Sequence, residues 1–117
     1  MKDFKKLKVW LKAMEIVKNV YELVKDFPAE ERYGLRSQLT RSAVSVASNI
    51  AEGSAKRSSK EYVRFLEIAL GSVYELETQI LITQEVNFGK QQLRESLLQH
   101  IDEEQKMLQS FIKRVGA

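Results

Sequence analysis

The 117-residue sequence contains no cysteine, one proline, five glycines and one histidine. Without cysteine the chain has neither a disulfide framework nor a thiolate metal site. Because proline and glycine interrupt helices, their scarcity favours helical structure. A di-metal helical bundle takes a Glu-x-x-His pair from each of two helices, and here the one histidine, His100, follows Leu97 at that spacing. A serine nucleophile would need this same histidine, so we expect no enzyme, no metal and no cofactor.

Long uninterrupted apolar runs are also missing. Lysines interrupt the apolar residues of the N-terminal stretch before they reach the length of a signal-peptide core, and no later segment has the length of a membrane span. The composition, 44% hydrophobic and 30% charged, is typical of a folded, soluble domain. We therefore expect a cytoplasmic protein that forms one domain over residues 1–117 and does not contact membrane.

Apolar residues recur at steps of three and four through most of the chain, the spacing that keeps one helix face on a partner. The pattern predicts helices at about residues 8–27, 29–55, 59–86 and 90–115. The breaks between them coincide with Pro28, with a Ser58–Glu61 capping box, and with the turn-forming residues 87–89. Four such helices with short connections predict an all-α, up-down-up-down antiparallel four-helix bundle. The wide apolar face of the last helix further suggests self-association.

The second predicted helix is unusual because residues 42–55 have mostly small side chains, which permit a close helix contact. Polar residues lie on one face of it at helical spacing, and Gly71 and Ser72 of the third helix form a candidate notch opposite. We predict a structural polar lock that fixes the register of helices or subunits, with Glu52 paired to Arg41, to Ser72 or to a neighbouring subunit. Ligand binding is the alternative. The lock residues are Arg41, Ser45, Asn49, Glu52 and Ser72.

Positive charge is concentrated in the first part of the chain. Residues 1–64 contain 14 Lys and Arg against 8 Asp and Glu, whereas the remainder contains 5 against 8. Two basic patches are candidates for nucleic-acid binding, although solvated helix faces are the commoner explanation of such charges. Trp10 lies within the first patch, where base stacking is one interpretation and core packing the commoner one. The candidate residues are Lys2, Lys5, Lys6, Lys8 and Lys12 in the first patch, and Lys56, Arg57, Lys60 and Arg64 in the second.

The sequence resembles one known family along nearly its whole length. The motifs are Tyr33-Gly34-Leu35, Ser48-Asn49-Ile50-Ala51-Glu52-Gly53, and residues 65–69 with Gly71-Ser72 and 75–77. They are similar to those of the bacterial four-helix-bundle family known as 23S ribosomal RNA intervening-sequence proteins. The resemblance implies a ring, commonly a homopentamer, and assigns no catalytic residues. It also suggests RNA or a nucleic-acid-processing protein as a partner.

Two functions remain open from the sequence. The first is a non-enzymatic, self-assembling bundle that presents a basic surface to nucleic acid. The second is an oligomeric adaptor that binds only proteins. Electrostatic binding weakens steeply with salt and apolar contacts do not, so salt dependence separates the two.

Overall fold

Four helices account for most of the computed structural model, which describes residues 3–117. Each helix packs against the next along the chain, and the fourth closes against the first, while within residues 3–117 no Cα atoms of diagonal helices lie within 8 Å of each other. No strand occurs in the same range. The result is an antiparallel bundle of 44 × 23 × 20 Å, which confirms the predicted fold class. The helices are α1 (Lys8–Val24), α2 (Leu35–Ser54), α3 (Ser59–Val86) and α4 (Gln91–Gly116).

The link between α1 and α2 is longer than the sequence predicts. Helix α1 ends at Val24 rather than at Phe27, and α2 begins at Leu35 rather than at Ala29. Pro28 has an extended backbone and is followed by a single 3₁₀ turn, Ala29–Glu31. The Glu31 carboxylate then accepts a hydrogen bond from the Leu35 N–H at 2.9 Å. A side chain placed before the helix thus satisfies one of its free N–H groups, and α2 starts there.

The boundaries of α3 rest on local hydrogen bonds. Ser58 Oγ accepts from the Glu61 N–H at 3.1 Å, which is one half of the predicted capping box. At the other end Asn87 is left-handed, with φ 56°, and Gly89 has φ 75°. A Cβ on Gly89 would lie 2.5 Å from Leu23 Cδ1, so this turn requires glycine for both its backbone and its space.

Buried Arg94 holds the α3–α4 turn from the inside. Its Nη1 donates to the carbonyls of Phe88 and Gly89 at 2.8 and 2.6 Å, and its Nη2 donates to Asn87 Oδ1 at 3.1 Å. Only 5% of the residue is exposed. Because carbonyl groups at a helix end lack partners within the helix, one guanidinium satisfies several of them together.

The core runs the length of the bundle and follows the predicted periodicity. Each helix contributes one stripe of residues that are at most 8% exposed. The stripes are Val9, Ala13, Ile16, Val20 and Leu23 with Phe27; Leu39, Ala43, Val46, Ala47 and Ile50; Tyr62, Leu66, Ala69, Val73, Leu76 and Ile80; and Leu97, Ile101 and Leu108. Within residues 3–117, no helix is both long and apolar enough to span a membrane.

Helices α2 and α3 approach each other closely at Gly53. A Cβ built there would lie 2.8 Å from Phe65 Cβ and 3.1 Å from Tyr62 Cδ1. Gly71, which the sequence suggested as the notch, is exposed, and a Cβ added to it would have no neighbouring atom within 4 Å. The notch prediction was therefore wrong about the glycine, because Gly71 lies on the outer face of α3.

One charged residue interrupts the core stripe of α4. Glu104 lies between Ile101 and Leu108 along the buried face and is 0% exposed. Neither carboxylate oxygen has a hydrogen-bond partner within residues 3–117. Burial raises its pKa to about 8, against a smaller opposing effect of the Lys12 charge. At neutral pH the core therefore accommodates a largely protonated acid.

Substituting Gly53 tests the α2–α3 contact. Gly53→Ala should lower the free energy of unfolding by about 2 kcal/mol, since a methyl group there must displace Phe65 or Tyr62. Gly71→Ala is the matched control and should raise stability by up to about 1 kcal/mol, because alanine favours an open helix position. Urea unfolding followed by circular dichroism measures both. Equal effects of the two substitutions would contradict the assignment.

Glu104 should make stability depend on pH. The folded-state pKa of about 8 lies above the ordinary value of 4.5, so the folded state binds the proton more tightly. The protonated carboxyl group contributes its full stabilisation below pH 4.5. Between pH 4.5 and 8 the free energy of unfolding falls by about 1.4 kcal/mol per pH unit.

Thermal or urea unfolding between pH 5 and 9 measures this effect. Glu104→Gln should remove that part of the pH dependence, so its stability relative to the native protein rises with pH. Glu85→Gln, at an exposed position of α3, should leave the dependence intact. Parallel pH curves for Glu104→Gln and the native protein would exclude a titrating Glu104.

Candidate functional site

Three of the five predicted lock residues meet between α2 and α3. Ser45 Oγ and Ser72 Oγ are 2.9 Å apart and share a hydrogen bond. Asn49 Nδ2 donates to the Ser45 carbonyl at 2.9 Å and to Ser45 Oγ at 3.0 Å. One turn away, Ser42 Oγ donates to Glu75 Oε1 at 3.2 Å. These polar groups satisfy one another across the helix pair, which orients α2 against α3.

The other two lock residues lie apart from this contact. Arg41 and Glu52 are exposed, and neither side chain makes a hydrogen bond or ion pair within residues 3–117. The structure therefore places no Arg41–Glu52 or Glu52–Ser72 pair inside one chain. Pairing of Glu52 with a neighbouring subunit stays a prediction.

A polar hollow of about 350 Å³ lies next to the lock on the α2–α3 face. Its floor includes Gln79, which is 6% exposed and whose Oε1 has no partner in the part of the chain described. Two residues of opposite charge line the hollow, Arg41 from α2 and Glu75 from α3. The lining residues are Gln38, Arg41, Ser42, Ser45, Glu75 and Gln79.

The antiparallel topology brings both predicted basic patches to one end of the bundle. This end, here called the basic end, contains the start of α1, the α2–α3 loop and the end of α4. Trp10 of α1 and Ala51 of α2 line one hollow, and Tyr62 of α3 packs edge-on against Phe111 of α4, with ring centroids 5.9 Å apart. Residues far apart in sequence thus lie beside one another.

Most of the predicted cations at the basic end reach solvent. Six are exposed and make no side-chain ion pair within residues 3–117: Lys5, Lys6, Lys8, Lys56, Arg57 and Lys60. Lys56 and Arg64 lie over one aromatic neighbour, 4.8 and 4.9 Å from the centroid of the Phe65 ring. Arg64 also pairs with Glu61 at 3.4 Å. Lys2 lies outside the described residues.

Lys12 differs from the exposed lysines of the first patch because its ammonium group already pairs with side chains of α4. Its Nζ donates to Glu103 Oε1 and, at 2.7 Å, to His100 Nδ1. His100 Nε2 lies 3.3 Å from Glu15 Oε1, an arrangement that suits a proton on Nε2. The hydrogen bond and charge of Lys12 lower the pKa of Glu103. Lys12 therefore serves the α1–α4 contact, and this role is one that the spacing of lysines in the sequence could not indicate.

Helix α4 adds cations that sequence reasoning missed. A groove of about 510 Å³ between the start of α1 and the end of α4 has an apolar floor that includes Leu7, Met107 and Phe111. Its rim carries cations from the N-terminal stretch and from α4. They are Lys6 and Lys8 of the first patch together with Lys106 and Arg114. The sequence did contain a signal that could have identified Arg114, because basic residues are favoured in the last turn of a helix.

Trp10 belongs to the packed part of α1. It is half-buried, and its ring lies edge-on to Phe4 with centroids 5.3 Å apart. Among residues 3–117, no group of three or more His, Cys, Asp or Glu side chains is placed to hold a metal ion.

Comparison with known proteins adds the family. The model of the 23S rRNA-intervening sequence protein family matches residues 5–110. A crystal structure at 1.70 Å of a protein of unknown function from the S23 ribosomal protein family, from Bacteroides thetaiotaomicron VPI-5482, is similar with a TM-score of 0.79. The similarity covers 90% of this chain and 98% of that one at 25% identity. No curated protein matches the sequence. Because the family match extends over most of its length, the chain belongs to the 23S rRNA-intervening sequence protein family.

Proposed function

We propose that this protein is a non-enzymatic, self-assembling helical bundle of the cytoplasm that binds RNA through its basic end. The observation that carries the proposal is the convergence of two sequence-distant basic patches and the end of α4 on one end of the bundle. Exposed cations that are not paired within the chain are available to neutralise phosphates, which supplies most of the affinity in sequence-independent nucleic-acid binding.

The local arrangement supports this role. Among the described residues the acids of this end are Asp3, Glu52, Glu61 and Glu67, fewer than its cations, and Glu61 is paired with Arg64 at 3.4 Å. Positive charge is therefore concentrated there and only partly compensated.

Self-assembly would multiply this charge. An apolar groove of about 360 Å³ lies between α1 and α2 and includes Trp10, Met14, Val17 and Val44. A ring requires two different, complementary patches on each copy. The exposed apolar residues of α3, Ile68 and Ile82, at 42% and 43% exposure, supply a candidate second patch. The proposed stoichiometry, a homopentamer, comes from the family resemblance.

An oligomeric adaptor that binds only proteins is the second candidate. The observation that favours it is the same α1–α2 groove, which is almost wholly apolar and open to solvent. Such grooves accept amphipathic helices. In this case the groove would take a foreign helix and the basic end would serve only solubility.

RNA binding should depend on salt and on the basic end. We expect a structured RNA to bind at about 50 mM salt and to weaken steeply by about 200 mM. The triple substitution Lys6→Gln, Arg57→Gln and Lys60→Gln should reduce the slope of log affinity against log salt by up to about 3. Fluorescence anisotropy provides the measurement.

A variant with the same net charge is the control. Lys18→Gln, Lys25→Gln and Lys90→Gln remove three exposed lysines away from the basic end and should have a much smaller effect. An equal loss in both variants would assign binding to overall charge rather than to the basic end. No binding at low salt would exclude the RNA function and favour the adaptor.

Self-assembly should depend on the α1–α2 groove. Met14 is 43% exposed at this groove, so Met14→Lys should reduce the mass in solution to that of the 13.5-kDa monomer without loss of helicity. Leu81→Lys is the control, because Leu81 is 46% exposed on α3 and does not share a helix face with Ile68 or Ile82. Light scattering coupled to gel filtration measures the mass. A native protein that is already monomeric would refute the proposed ring.

A further inference from the structure

Tyr33 is the most exposed large hydrophobic side chain among the described residues, with 86% of its surface accessible. It precedes α2 at the end of the bundle opposite the basic end. The backbone around it is held in place. The Gly34 N–H donates to the Glu31 carbonyl at 3.0 Å, and the Leu35 N–H donates to the Glu31 carboxylate at 2.9 Å. An ordered turn therefore presents this ring to solvent.

Tyr33 borders a hollow of about 580 Å³. Tyr21 of α1, which is 50% exposed, contributes a second aromatic ring to the lining. Arg32 and Arg36 contribute two guanidinium groups, and the Arg32 guanidinium lies 5.4 Å from the centroid of the Tyr33 ring. Thus aromatic faces and positive charges surround one space.

No acidic residue lines this hollow within the described part of the chain. The nearest acids in sequence are Glu30 and Glu31 of the preceding 3₁₀ turn. The Glu31 carboxylate accepts a hydrogen bond from the Leu35 N–H, and neither Glu30 nor Glu31 lines the hollow. Ser37 supplies a hydroxyl, while the Thr40 hydroxyl is already donated to carbonyls of its own helix. The groups of the hollow that remain available to a ligand are therefore chiefly its aromatic rings and guanidinium groups.

A ligand that complements this chemistry is flat, aromatic and anionic. An unpaired nucleotide has both properties, since its base can stack on tyrosine and its phosphate can pair with arginine. A base within a duplex is stacked on its neighbours and cannot present its face to a side chain. The hollow thus favours single-stranded over double-stranded nucleic acid.

We propose that this hollow binds one unpaired nucleotide of an RNA, with its base stacked on Tyr33 and its phosphate paired with Arg32 and Arg36. This inference rests on the proposed RNA function and extends it, because it adds a contact that distinguishes single-stranded from double-stranded RNA. The contact lies at the other end of a bundle 44 Å long, so it can be tested separately from the basic end.

A fluorescein-labelled single-stranded RNA of about four nucleotides is the probe, because it is too short to bridge both ends. We expect Tyr33→Ala to weaken its binding about tenfold, the effect of losing one stacked base. Tyr33→Phe should retain binding, since the ring remains. Tyr74→Ala, at a tyrosine of α3 that is 45% exposed, is the matched control and should also retain it. Tyr33 supports no core contact, so circular dichroism should be the same for all variants.

Three results would overturn the inference. In the first, Tyr33→Ala binds the short single strand as tightly as the native protein does. In the second, binding of a short duplex probe depends on Tyr33 as strongly as binding of the single strand does. In the third, the short single strand does not bind at low salt. The triple substitution at the basic end separates this inference from the proposed function. It should weaken structured RNA while leaving the Tyr33 dependence of the short probe unchanged.

Discussion

The close contact between α2 and α3 is the constraint on which the rest of the structure depends. Gly53 allows the two helices to approach until Phe65 and Tyr62 fill the space of an absent side chain. At this separation the short side chains of Ser45 and Ser72 can bond directly, and Asn49 completes their hydrogen bonds. A larger residue at Gly53 would separate the helices and leave these polar groups without partners.

The antiparallel order of the four helices determines where the cations lie. Because α2 and α3 are closely paired and antiparallel, their short loop lies beside the start of α1 and the end of α4. Cations from three stretches of sequence thereby share one end of the bundle. The opposite end has a different chemistry, an exposed tyrosine with arginines around a hollow.

Helix α4 buries two ionisable side chains with opposite consequences. Arg94 is buried but donates to three oxygens of the α3–α4 turn, so its burial stabilises that turn. Glu104 is also buried but has no partner for either oxygen within residues 3–117, so its proton is retained to higher pH. Periodicity could not distinguish them, because both occupy buried positions of one helix and differ only in what lies opposite.

The sequence by itself determined the helices, their buried stripes and the turns at Ser58 and Asn87, because these depend on residues close together in the chain. It also indicated that Ser45, Asn49 and Ser72 belong together. The tertiary structure decided that Gly53 and not Gly71 is the close contact, that α2 begins at Leu35, and that Lys12 pairs with Glu103 while Lys6 and Arg114 share a groove. These outcomes depend on the rotation and pairing of whole helices. The contribution of a glycine or a lysine at such a position to the stability of the fold is determined by neighbours that are distant in sequence.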